Sequence, residues 1–200
     1  MRLFFYAFFK NNALAQKPVP LEKINWKTLD PLEKIGQNSV KQKENYLKRC
    51  SEYSNSNQTE KKIKLKEERY TSLVGGYPIK TMIPTIARQD KHVSAFLISI
   101  AKKESDWGVY SPHKYGKDCY NYWGYRGSYN PTISGYSCFD TPEQAVATVG
   151  GRIKKLISKK INTPKRMVVW KCGSSCANFP ANDVQKWISD VSLYYNQLNS

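Results

Sequence analysis

Ala95-Phe96-Leu97-Ile98-Ser99-Ile100-Ala101-Lys102-Lys103-Glu104-Ser105-Asp106-Trp107-Gly108 is the stretch on which the reading of this chain turns. With Val93, the residues Phe96, Leu97, Ile100 and Ala101 recur at helical spacing. Asp90 stands where an N-cap belongs. At roughly 100° per residue, Glu104 falls only about 20° from Val93 around the axis. Its carboxyl therefore continues the apolar stripe, while Lys102 and Lys103 fall off it. A carboxyl at the end of a buried stripe is expected to be half-buried. It can then hold a proton near neutral pH and deliver it as a general acid. The same spacing also suits a structural Glu paired with a nearby Lys or Arg. Trp107 is expected to pack beneath Glu104 and help dry it.

The stretch is followed by residues 108–137, which have no helical period and are rich in Gly, Tyr, Asn and Pro. They read as an irregular lobe of loops and short strands. Tyr115, Tyr120, Tyr122, Trp123, Tyr125, Tyr129 and Tyr136 crowd it, and such rings can either stack on sugar faces or fill the lobe's own small core. Asn121 either binds substrate or holds a turn. Asp106 and Asp118 are the nearest carboxylates that could act as a second acid beside Glu104, and both could instead cap turns. Thr141-Pro142-Glu143 opens a helix running to about Lys160, with Ala145, Val146, Val149, Ile153, Leu156 and Ile157 apolar. A last helix starts at about Asn182 and carries Val184, Trp187, Ile188, Val191, Leu193 and Tyr194.

Upstream, Gly75-Gly76-Tyr77-Pro78 marks the start of the compact domain, 76–200. Residues 16–75 read as a polar basic linker or frayed helix, with a basic run at Lys61-Lys62-Ile63-Lys64-Leu65-Lys66 that suits an anionic surface. Residues 1–15 have the order of a signal peptide, or form a short apolar start: Met1-Arg2, an apolar run, then Ala13-Leu14-Ala15.

The chain has 200 residues and a net charge of +16, so polyanions attract it. Of its five cysteines, Cys119 with Cys138 and Cys172 with Cys176 are close pairs around loops. They suit disulfides in an oxidising compartment, and Cys50 is left over. A zinc site from the same four residues lacks the short paired spacings of common zinc modules. No run is long enough to span a membrane as a helix. Only His92 and His113 could serve as histidine bases, and there is no nucleophile elbow, which argues against Ser-His and Cys-His hydrolases and metal enzymes.

Three strings, in order, carry a resemblance. Glu104-Ser105-Asp106-Trp107-Gly108 resembles the Glu-Ser-Gly-Trp-Gly of bacterial glucosaminidase domains. Asn121-Tyr122-Trp123-Gly124-Tyr125-Arg126 is similar to their Asn-Leu-Phe-Gly-Ile-Lys, and Phe139-Asp140-Thr141-Pro142-Glu143-Gln144-Ala145 to their Tyr-x-Ser-x-x-Glu-Ala. That family is glycoside hydrolase family 73, mannosyl-glycoprotein endo-β-N-acetylglucosaminidase-like, and the match covers about residues 78–198. Its Gly-Tyr-Ala-Thr-Asp stretch has no counterpart here, where Cys172-Gly173-Ser174-Ser175-Cys176 stands before the last helix.

The resemblance implies a mainly α, lysozyme-like domain with an irregular lobe inserted after the catalytic helix. It implies an exported glycosidase that cuts β-1,4 bonds of peptidoglycan with Glu104 as acid. Lytic transglycosylation on the same fold and a non-catalytic basic wall-binding module are the alternatives. The expected partners are peptidoglycan glycan strands and anionic wall polymers, with the protein a monomer that needs no cofactor. No nucleic-acid-binding motif is present.

Overall fold

The computed structural model of the chain describes residues 37–200, with side chains from residue 42 onward. The signal-peptide reading of residues 1–15 lies outside the described residues, as does that of linker residues 16–36. The described chain falls into two units, one ending at Tyr53 and the other spanning Ser54–Ser200. A long helix, α1 (Gln37–Val74), carries the division. In the first unit every described side chain is exposed. Cys50 is a free, exposed thiol there, and its hydrogen bond to Tyr46 pushes that phenol above its usual value.

The second unit corrects the expected boundary at residue 75. The last turns of α1 are part of the compact body, because Ile63, Tyr70 and Val74 form a stripe at helical spacing that packs on the core. Lys66 belongs to this packing as well. Its ammonium donates to the Gln89 carbonyl at 2.7 Å, and burial pulls its pKa down. The basic run is thus not a uniformly solvated face.

The described residues are mainly helical. A 3₁₀ turn (Pro78–Met82) leads into α2 (Ile83–Ala87) and then α3 (Lys91–Ser105). The Asp90 side chain caps α3 by accepting the His92 N–H at 2.9 Å, as its position predicts. Residues 93–101 of α3 are buried on every side, so α3 is a central helix rather than a surface one. Two serines tolerate this burial because each hydroxyl finds a carbonyl: Ser94 donates to Ile86 and Ser99 to Phe96.

The lobe follows, and its regular structure is a two-residue hairpin of β1 (His113–Lys114) and β2 (Lys117–Asp118), antiparallel with His113 opposite Asp118. Helix α4 (Pro142–Ser158) starts where Thr141 accepts the Gln144 N–H, again as expected. Two single-turn helices, α5 (Pro164–Met167) and α6 (Val169–Cys172), and α7 (Ala181–Asn199) complete the body. Helices α4 and α7 pack against α3. Trp187 and Val191 are buried in that packing, but Leu193, one of the helix's apolar residues, is 64% exposed. Both expected disulfides are present, Cys119–Cys138 and Cys172–Cys176. No helix among the described residues is long and apolar enough to cross a membrane.

Candidate active-site cleft

Glu104 stands in the last turn of α3, and α3 ends one residue later because Asp106 and Trp107 both take left-handed backbone angles. The main chain turns away there and leaves the Glu104 carboxyl at the mouth of a cleft of about 660 Å³. Glu104 is exposed, which corrects the expectation of a half-buried acid. The apolar stripe does lead to it, but the cleft begins where the stripe ends.

Trp107 does not lie beneath it. Its indole N–H donates to the Ile98 carbonyl, and its ring packs edge-on to Tyr77 and Tyr194 with the Lys102 ammonium over its face. The aromatic partner of Glu104 is Trp187 of α7, whose buried indole N–H donates to Oε1 at 2.7 Å. A fully buried donor of this kind fixes the carboxyl's orientation.

The opposite oxygen faces Gly124. That residue has φ +63°, and a Cβ on it would lie 3.6 Å from Glu104 Oε2 and 3.9 Å from the Tyr136 ring. A side chain there would be strained and would narrow the space beside the carboxyl. Glycine thus keeps open the approach to the acid. Tyr125, Trp170 and Tyr136 wall the cleft, and Trp123 backs it. Trp170 is tied in place by donating to the Trp123 carbonyl at 2.9 Å, with its ring centroid 6.2 Å from that of Tyr125. Arg126 lies over the Tyr136 ring at 4.0 Å.

Several expected site residues do other work. Neither candidate second acid lines the cleft. Asp106 is the C-cap of α3 and pairs with Lys102. Burial pulls the Lys102 pKa down, but Asp106 outweighs it and the net shift is upward. Asp118 accepts from the Ser111 hydroxyl, from the Tyr120 N–H at 2.8 Å and from the Tyr122 hydroxyl at 2.9 Å. It is a hub of the lobe's interior.

Asn121 is fully buried, and it holds a turn instead of binding substrate. Its amide donates to the Tyr125 and Ser137 carbonyls, both at 2.8 Å, and its oxygen accepts the Tyr125 N–H at 2.9 Å. Tyr122 is buried too, under Gly108, where any Cβ would meet its ring at 2.7 Å. Burial, and then its hydrogen bond to Asp118, push the Tyr122 phenol far above its ordinary value. Tyr115 is 93% exposed and borders a separate pocket with Asp118 and Tyr120. Of the six residues expected to bind substrate, Tyr125, Tyr136 and the inner face of Trp123 reach the cleft.

The cleft also takes in residues that the sequence does not single out for the site: Arg152 from α4, Lys159 at its C-cap, and Trp170 and Lys171 from α6. The spacing of Arg152 and Lys159 carried a signal. Seven residues apart, they share one helical face with Leu156. No family model, curated protein or solved structure matches the chain.

Proposed function

We propose that this protein is an exported, monomeric enzyme with a lysozyme-like fold that cuts β-1,4 glycosidic bonds of peptidoglycan, with Glu104 as the proton donor. One observation carries the reading. Among the described residues Glu104 is the sole carboxylate lining an aromatic-walled cleft, aimed by Trp187 and approached over Gly124. The resemblance of the Glu104, Asn121 and Phe139 strings to glucosaminidase domains supports the same chemistry. The two disulfides and the strongly basic chain fit a protein that works outside the cytoplasm on an anionic wall.

A single carboxylate in the cleft favours routes in which the substrate supplies the second catalytic group. In the glucosaminidase route, Glu104 gives its proton to the glycosidic oxygen as the C1–O bond breaks. The N-acetyl carbonyl oxygen of the same sugar bonds to C1. Water then opens that ring and returns a proton to Glu104. The second reading, lytic transglycosylation, rests on the same observation. There too Glu104 first gives its proton to the glycosidic oxygen as the C1–O bond breaks; the C6 hydroxyl of the muramyl residue then bonds to C1, and its proton passes back to the Glu104 carboxylate. Because Glu104 is exposed, a glycan lying over Gly124 must itself cover the acid, leaving room in the hydrolytic route for the one water that is consumed.

Glu104→Gln tests the assignment. The amide cannot donate a proton of this kind, so turnover should fall by roughly 10²- to 10⁴-fold while wall binding persists. Mass spectrometry of the released muropeptides reads the route: a reducing N-acetylglucosamine end for the first, an anhydro-muramyl end for the second. Release by the variant at the wild-type rate would overturn the reading.

A further inference from the structure

Four cations line the cleft, Arg126, Arg152, Lys159 and Lys171, against the one carboxylate of Glu104. Two of them are occupied. The Arg126 guanidinium donates to the Ser134 carbonyl at 2.5 Å and lies over Tyr136, and the Lys171 ammonium sits 5.2 Å from the Phe179 ring centroid. Arg152 and Lys159 differ. Both are exposed, and neither forms an ion pair, side-chain hydrogen bond or ring contact among the described residues.

Their placement is not that of a scattered surface charge. Arg152 and Leu156 stand at i and i+4 of α4, Lys159 follows at i+7 as its C-cap, and all three line the cleft. Leu156 is buried between them and fixes which way this face of the helix points. The two cations are two turns apart, about 10.5 Å along the axis. That is close to the repeat of a β-1,4-linked disaccharide. The cleft thus has an aromatic wall for sugar faces and, along α4, two free cations in a row.

We infer that Arg152 and Lys159 form a ledge that reads the free lactyl carboxylates on alternate sugars of a glycan without stem peptides, so that they set the specificity of the cleft for an acidic glycan over a neutral one. The inference rests on the proposed glycan-cleaving function and names the chemistry of its substrate. Arg152 offers a planar fork and Lys159 a point charge. Both cations are exposed, so their attraction for such carboxylates weakens as salt rises. Neutral β-1,4-linked N-acetylglucosamine oligomers would use only the aromatic wall.

The test measures binding, not turnover. Full-length Glu104→Gln protein is titrated with two oligosaccharides of equal length. One is the neutral N-acetylglucosamine oligomer. The other carries a lactyl carboxylate on every second sugar. The acidic oligomer should bind more tightly, and Arg152→Gln with Lys159→Gln should weaken it by roughly five- to twentyfold. Affinity for the neutral oligomer should stay the same, which also reports that the cleft is still folded. Arg152→Glu with Lys159→Glu should reverse the preference. Equal affinity for the two oligomers, or equal loss of both in the Gln variant, overturns the ledge. Binding to neither oligomer overturns it together with the glycan reading. Ledge-dependent binding by a protein whose wild type releases no muropeptide sinks the enzymatic proposal and leaves the ledge standing.

Discussion

The helical body and the lobe inserted into it keep their shapes by different means. In the body, α3 is buried along residues 93–101 and packed by α4, α7 and the end of α1. Its stability is spread over many apolar contacts, each contributing a little. The lobe buries few side chains and ties nearly all of them by polar or covalent links: Asn121 to Tyr125 and Ser137, Tyr122 to Asp118, Cys119 to Cys138. Its backbone bends through positive φ at Tyr115, Tyr120 and Gly124. The body therefore tolerates loss at one point better than the lobe does. The cleft lies at the seam, with Glu104 from the body and Gly124 from the lobe. Its geometry depends on both regimes at once.

Cutting the lobe's covalent link should separate the two regions most sharply. Cys119 and Cys138 close a span of 19 residues. Replacing both with Ser should cost about 3 kcal/mol. Hydrogen exchange should accelerate first at lobe amides such as Phe139, which bonds to the Cys119 carbonyl, while amides of α3 remain protected. Simultaneous loss of protection in α3 would mean that lobe and body are one cooperative unit.

Next comes Asn121→Ala, which removes three hydrogen bonds and leaves the half-buried Tyr125 N–H without its acceptor. An expected cost is about 1–3 kcal/mol. Muropeptide release should drop because Gly124 and Tyr125 lose their anchor, while helical circular dichroism stays unchanged. If release is unaffected, the turn does not position the cleft.

How much of this was legible from the residues follows the same division. The body announces itself by period. The Val93-to-Ala101 stripe, the Asp90 and Thr141 caps and the apolar face of α4 all stand where spacing puts them. The missed part of the body is the end of α1. Ile63, Tyr70 and Val74 do recur at helical spacing, but Lys62, Lys64, Glu67 and Glu68 surround them, and Leu65, the more conspicuous apolar residue, is exposed. In the lobe, composition announced loops and the disulfide but not which way any side chain turns. Asn121, Tyr122 and Tyr115 look alike as polar or aromatic loop residues. Only the turn geometry separates a buried anchor, a buried ring and a 93% exposed ring. Trp187 pairs with Glu104 across 83 positions of sequence, a contact that no local spacing encodes.

The smallest expected effect tests the body's side of the comparison, namely that charge contributes little where apolar packing is dense. Asp190 on α7 accepts from Lys103 of α3 at 2.6 Å and from Lys186 at 3.0 Å, and it is the ion pair that clips those two helices together. Burial pushes the Asp190 carboxyl up, but the hydrogen bonds and charges of Lys103 and Lys186 outweigh it and hold the carboxyl below its usual range. A depressed folded-state value means that the stabilisation is present above the unfolded value, about 3.9, and is lost as pH falls through the lower folded one. The groups are partly exposed, so the pair should contribute roughly 0.2–1 kcal/mol. Asp190→Asn should therefore lower the melting temperature slightly at pH 7 and in low salt. The gap to wild type should close as pH drops below about 4, and should shrink in high salt. A loss of several kcal/mol at neutral pH, or a gap that widens in acid, would mean that the α3–α7 interface rests on this charge pair and not on Trp187 and Val191 beneath it.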